Sequence, residues 1–133
     1  MTAKVFIWIN IVACSLAGVM LLFLFLYPHH NAIVFRDDMV LHCNKLNEAV
    51  SSKEWESARG LIEDAQARFD TELPRLRLFF DHEDVDDLGL ALHCAVAYLK
   101  EQDSSQASGA IEEVRMIVTY LAGIETFTLT NLF

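Results

Sequence analysis

Residues Val5 to Tyr27 form an apolar run of 23, interrupted only by Asn10 and Ser15, and the sequence after it is acidic and polar-patterned. As a helix this run is roughly 34 Å long, enough to cross the ~30 Å hydrocarbon layer of a bilayer with some tilt. Hydropathy alone therefore divides the chain. Residues 1–27 read as a membrane anchor with a short cytoplasmic start, and residues 28–133 as one small domain with enough sequence for a modest core. A cleaved signal peptide fits less well, because Val19 to Leu26 stays apolar past every small residue. Ile11-Val12-Ala13-Cys14 resembles a lipoprotein cleavage box, yet cleavage there leaves Ser15 to Tyr27 as an apolar mature terminus.

The charge is concentrated beyond the anchor. The chain carries a net −9, and Lys4 is the only charged residue before Arg36, so the remainder holds 9 of the 10 basic residues and all 19 acidic ones. Such a surface argues against nucleic acid, whose phosphates require Lys and Arg. It also argues against lying flat on anionic lipid, since no polybasic cluster follows the anchor. The amino terminus and Lys4 precede the run, whereas Pro28-His29-His30-Asn31 follows it without a base until Arg36. The positive-inside rule then places the amino terminus in the cytoplasm and the domain outside, a single-pass arrangement in the cell membrane.

Beyond the anchor, apolar residues recur at three- and four-residue steps and never in a sustained alternation of two, which predicts an all-α domain. Ala32, Phe35, Met39, Cys43, Leu46 and Val50 make the first stripe. Ser51-Ser52-Lys53 ends it and offers a serine cap to the next helix. A second stripe runs from Trp55 through Ala58, Ile62, Ala65 and Phe69 to Leu76 and Phe80, with Pro74 expected to kink or split it near Leu73. Val85, Leu88, Leu92, Ala95 and Leu99 form a third, and Ala110, Val114, Ile117 and Leu121 a fourth. Ala58-Arg59-Gly60-Leu61-Ile62-Glu63-Asp64 matches Ala107-Ser108-Gly109-Ala110-Ile111-Glu112-Glu113 at an offset of 49, and Leu41-His42-Cys43 recurs as Leu92-His93-Cys94. The predicted architecture is a single transmembrane helix followed by a bundle of about four helices, arranged as two similar hairpins. The apolar tail from Ile124 to Phe133 reads as too short for a helix of consequence, either packing back across the bundle or remaining available to a partner as an extended segment.

Three constellations bear on function. Asp81-His82-Glu83-Asp84-Val85-Asp86-Asp87 packs five carboxylates and an imidazole into seven positions. The structural reading is a helix start, with Asp81 as N-cap and Glu83 and Asp84 in the first turn. The functional reading is a divalent cation or zinc held by His82 with Asp81, Glu83 and Asp86. In the anchor, Asn10, Cys14, Ala17 and Gly18 share a helical face where a second membrane helix can approach closely. Cys43 and Cys94 lie on apolar faces, either as buried free thiols or as a disulfide in an oxidising compartment.

Lys53-Glu54-Trp55-Glu56-Ser57-Ala58, Phe80-Asp81-His82-Glu83-Asp84-Val85-Asp86 and the ending Leu129-Thr130-Asn131-Leu132-Phe133 resemble the bacterial family known as domain of unknown function four-three-six-three. The resemblance implies an amino-terminal membrane helix, a helical domain of about a hundred residues and no known activity. The Leu-His-Cys pairs fall outside its pattern. With no catalytic pairing of nucleophile and base, the sequence reads as a non-enzymatic, membrane-anchored interaction or accessory module without a cofactor. Its expected partner is another integral membrane protein or a second copy. A divalent-cation-binding domain built on the Asp81–Asp87 motif is the alternative.

Overall fold

The computed structural model describes residues 3–130. Four helices follow one another: α1 (Ala3–Ser51), α2 (Trp55–Phe79), α3 (His82–Lys100) and α4 (Ser104–Thr130). No strand occurs among the described residues. Short turns make sequential helices antiparallel. In the resulting ring α1 packs on α2 and α4, α3 packs on the same two, and α1 and α3 stand diagonally.

The predicted stripes become the core. Ala32, Phe35, Met39, Cys43, Leu46 and Val50 of α1 are all buried, as are Val85, Leu88, Leu92, Ala95 and Leu99 of α3. On α4, Val114 and Leu121 are buried while Ile117 is partly so, with Ile111 and Val118 completing the helix's inner face. Trp55 is half-buried against the core, whereas Ala58, one turn on, has no exposed surface. Each buried aliphatic side chain contributes about 1.5–3 kcal/mol relative to exposure, so this interior is the main source of the domain's stability.

The first half of α1 stands outside this bundle. Every side chain from Lys4 to Tyr27 is exposed, and α1 is long and apolar enough to cross a membrane. The polar stretch Pro28-His29-His30-Asn31 does not interrupt it: α1 is one helix of 49 residues, roughly 74 Å. Pro28 deletes a single backbone donor, and Asn31 Nδ2 donates to the nearby Tyr27 carbonyl at 2.7 Å. Packing of Ala32 and Phe35 in the bundle one turn later carries the helix on.

Pro74 likewise fails to split α2, which runs unbroken to Phe79. Pro74 is exposed, as is Asp70, whose carbonyl is the one left without the proline N–H. Water can satisfy that carbonyl, while buried Phe69 and Leu76 pin the helix on either side. The serine cap is also replaced. Ser51 Oγ donates back to the Asn47 carbonyl at 2.7 Å, and the residue preceding α2 is Glu54, which makes no side-chain cap bond. At the other end, the backbone of α4 remains helical through Thr130 where a tail too short for a helix was expected, and residues 131–133 lie outside the described part. Asn44 and Asn47 of α1 bond Arg115 and Glu112 of α4. Continuing that antiparallel register brings the end of α4 close to the level of His29, at the end of the bundle where the apolar half of α1 enters.

Candidate functional site

Along the α1–α2 seam runs a chain of charges. Arg68, Glu72 and Arg75 occupy one face of α2 at spacings of four and three. Glu72 is the one buried charged residue among those described, at 8% exposure. Its Oε1 lies 3.3 Å from Arg68 Nη1 and its Oε2 2.7 Å from Arg75 Nη1. Arg68 Nε continues to Asp38 Oδ2 of α1 at 3.0 Å, and His42 Nδ1 sits 2.9 Å from the Asp38 carbonyl oxygen. Toward the apolar half of α1, Arg75 places its guanidinium 5.8 Å from the centre of the Tyr27 ring, which itself stacks on Phe23 at 5.3 Å. Sequence reading passed over this chain, because Glu72 interrupts an apolar stripe one residue before Leu73 and is conspicuous only once α1 lies beside it.

The acidic motif opens α3 as a cap. Asp81 is extended (φ −60°, ψ 138°) and its Oδ1 accepts the Glu83 N–H at 2.9 Å. Its carbonyl accepts the first helical bond, from Val85, at 3.2 Å. Glu83 and Asp84 fall in the first turn, where carboxylates complement the positive end of the helix dipole. Asp86 is drawn away to Arg77 of α2, Oδ1 to Nη2 at 2.9 Å. His82 and Glu83 are exposed. Among the described residues no three His, Cys, Asp or Glu side chains gather in an arrangement able to hold a metal ion.

Around the corner, α3 and α4 enclose an open groove of about 570 Å³. Met116, Ile117 and Tyr120 of α4 supply its apolar floor, Asp84 and Asp87 of α3 one wall, and Arg115 and Thr119 the other side. Met116 is 67% exposed and Tyr120 58%. Arg115, the one base lining the groove, is held by Glu112 at 3.1 Å and by Asn44 of α1 at 2.6 Å. This surface was not anticipated either: Met116 and Tyr120 lie between the core positions of the fourth stripe, and only the neighbouring α3 turns them into a floor.

The cysteines do not meet. Cys14, Cys43 and Cys94 are all free thiols. A disulfide requires Cα atoms within about 7 Å, whereas the diagonal helices α1 and α3 share no Cα pair within 8 Å. Among the described residues the two His-Cys pairs do not gather into a metal-binding arrangement either. Cys43 is buried, and burial pushes its thiol up to about 11, with Arg115 opposing and Glu112 adding to the rise. In the apolar first half of α1, Asn10, Cys14, Ala17 and Gly18 are all exposed, and Asn10 Nδ2 meanwhile donates to the Phe6 carbonyl at 2.8 Å.

Comparison with known proteins covers most of this architecture. No curated protein and no solved structure matches the chain. Residues 29–132, which hold all four bundle helices from the point where α1 enters the core, match one family along their length. The chain belongs to the family described as Domain of unknown function (DUF4363).

Proposed function

We propose that this chain is a non-enzymatic, membrane-anchored interaction module, an accessory subunit that holds an acidic helical bundle close to the bilayer for another integral membrane protein or a second copy. The observation that carries this reading is the continuity of α1. One helix is unburied and apolar over its first half and forms part of the bundle core over its second. A bundle joined to its anchor by a helix rather than a loop has a restricted height and orientation, which suits a component that must meet a partner in register. Trp8 and Tyr27, exposed near the two ends of the apolar run, are separated by roughly 29 Å of helix, the spacing of the two aromatic belts of a bilayer. The Arg75–Tyr27 contact braces the far end of α2 against that boundary.

In this reading the amino terminus is cytoplasmic and the bundle lies outside, following the single base Lys4 ahead of the run. Protease added to intact cells is expected to digest residues beyond 28; protection reverses the orientation. The functional test is extraction of the full chain in mild detergent, followed by crosslinking and mass measurement. A complex larger than one chain is expected, and a strictly monomeric, partnerless chain overturns the proposal.

A further inference from the structure

We propose that the α3–α4 groove is the docking site for a cationic amphipathic helix of a partner protein. This deepens, and rests on, the interaction-module reading. Met116 and Tyr120 of the floor belong to an apolar ridge along α4 that Ile124 continues beyond the groove: the three are exposed at successive four-residue steps, so the ridge spans roughly 12 Å and points down the bundle toward the anchor. Methionine adapts to differently shaped side chains, and tyrosine offers a large surface at little entropic cost. An elongated ridge open along one side suits the apolar face of a helix, whose side chains enter at three- and four-residue spacing.

Charge selects the occupant. Asp84 and Asp87 are three residues apart on α3 and line the groove, and no hydrogen bond or ion pair engages either carboxylate among the described residues. Their neighbours do not neutralise them. Arg77 is committed to Asp86, and Arg115 turns to Glu112 and Asn44 on the α1 side. Two lysines or arginines three or four apart on a docked helix would face this wall while its leucine-like stripe covers Met116 and Tyr120. A second copy of the chain is a poor occupant. It carries −9 itself, and a self-complementary contact through this groove would set the two acidic walls against each other.

The test uses the full chain in phosphatidylcholine nanodiscs, with empty discs as background. The probes are two labelled 18-residue helices with the same leucine stripe, one flanked by lysine and the other by glutamate, followed by fluorescence anisotropy at low and high salt. The lysine helix is expected to bind and the glutamate helix to fail, with affinity falling as salt rises. Asp84→Asn with Asp87→Asn should weaken binding roughly tenfold and flatten the salt dependence, and Met116→Ser with Tyr120→Ser should weaken it as much. Glu63→Gln with Asp64→Asn, exposed acids on α2, should leave it unchanged. Equal binding of both helices, no binding of either, or indifference to the groove substitutions overturns the assignment; so does groove-dependent dimerisation of the chain. Failure of the broader reading looks different. If the detergent-extracted complex persists with both groove pairs substituted, the groove is wrong and the module stands. If the unsubstituted chain forms no complex, the module itself falls.

Discussion

Lys53 and Gln102, 49 residues apart in sequence, adopt the same left-handed backbone conformation, with φ of 58° and 56°. Each sits just past the end of a helix and closes the same pair of bonds. The Lys53 N–H reaches the Val50 carbonyl at 3.1 Å and the Glu54 N–H the Ala49 carbonyl at 2.8 Å; the Gln102 and Asp103 N–H groups reach the Leu99 and Tyr98 carbonyls at 3.2 and 3.1 Å. This is the Schellman arrangement, which usually recruits glycine. The two residues mark equivalent corners of two hairpins, α1–α2 and α3–α4. The following Ala58 and Ala107 are both fully buried, and Gly60 and Gly109 both have open space where a Cβ would stand.

Because both positions hold a side chain in a region that L-residues occupy at a cost, glycine should suit them better. Lys53→Gly and Gln102→Gly are each expected to raise stability by about 1 kcal/mol, roughly additively, since neither side chain contributes to the core. Thermal or urea unfolding of the bundle measures it. No gain at either site would mean that these turns are relaxed by their side chains.

Glu72 should be the most sensitive charged residue. Glu72→Gln removes the charge between Arg68 and Arg75 without changing volume much. Both arginines are about two-fifths exposed or less, at 35% and 40%, and can turn partly to water. The expected loss is therefore about 1–2 kcal/mol, below the ~3–5 kcal/mol for stranding a fully buried charge. Arg75→Ala should cost less than Glu72→Gln. The reverse order would locate the energy in the Tyr27 contact and not in the ion pair.

At the start of α3, Asp81→Ala should cost about 1 kcal/mol through loss of the bond to the Glu83 N–H. His82→Ala should be nearly neutral, since that side chain is exposed. If His82→Ala is the more damaging, the motif does more than begin a helix, and titration with zinc or calcium becomes the next measurement.

Cys43 supplies a pH-dependent term. Its thiol is raised from 9.0 to about 11 by burial, so the fold favours the protonated form. That contribution is intact below pH 9 and is lost as pH rises from about 9 to about 11, because the unfolded chain releases the proton first. The loss is on the order of 3 kcal/mol. The difference in stability between the parent and Cys43→Ser should narrow across that window. Thiol reagents at pH 8 should reach half-buried Cys94 well before Cys43.

How much of this was legible in the sequence follows from the range over which each feature is decided. The apolar first half of α1 and the four apolar stripes are local: a run of 23 apolar residues and a three-and-four spacing declare a membrane-length helix and amphipathic helices whatever surrounds them. The paired turns were foreshadowed by the same means, in the 49-residue echo between Ala58–Asp64 and Ala107–Glu113. The course of α1 through Pro28 was carried by burial of Ala32 and Phe35 beyond it, and that of α2 through Pro74 by burial of Phe69 and Leu76 on either side, which outweighs one missing hydrogen bond. The separation of Cys43 from Cys94, the burial of Glu72 between two arginines and the groove beneath Asp84 and Asp87 depend on the order of helices around the ring. A stripe states that a helix has an inner face; which helix covers it, and what the remaining flanks then form together, is set only when all four pack.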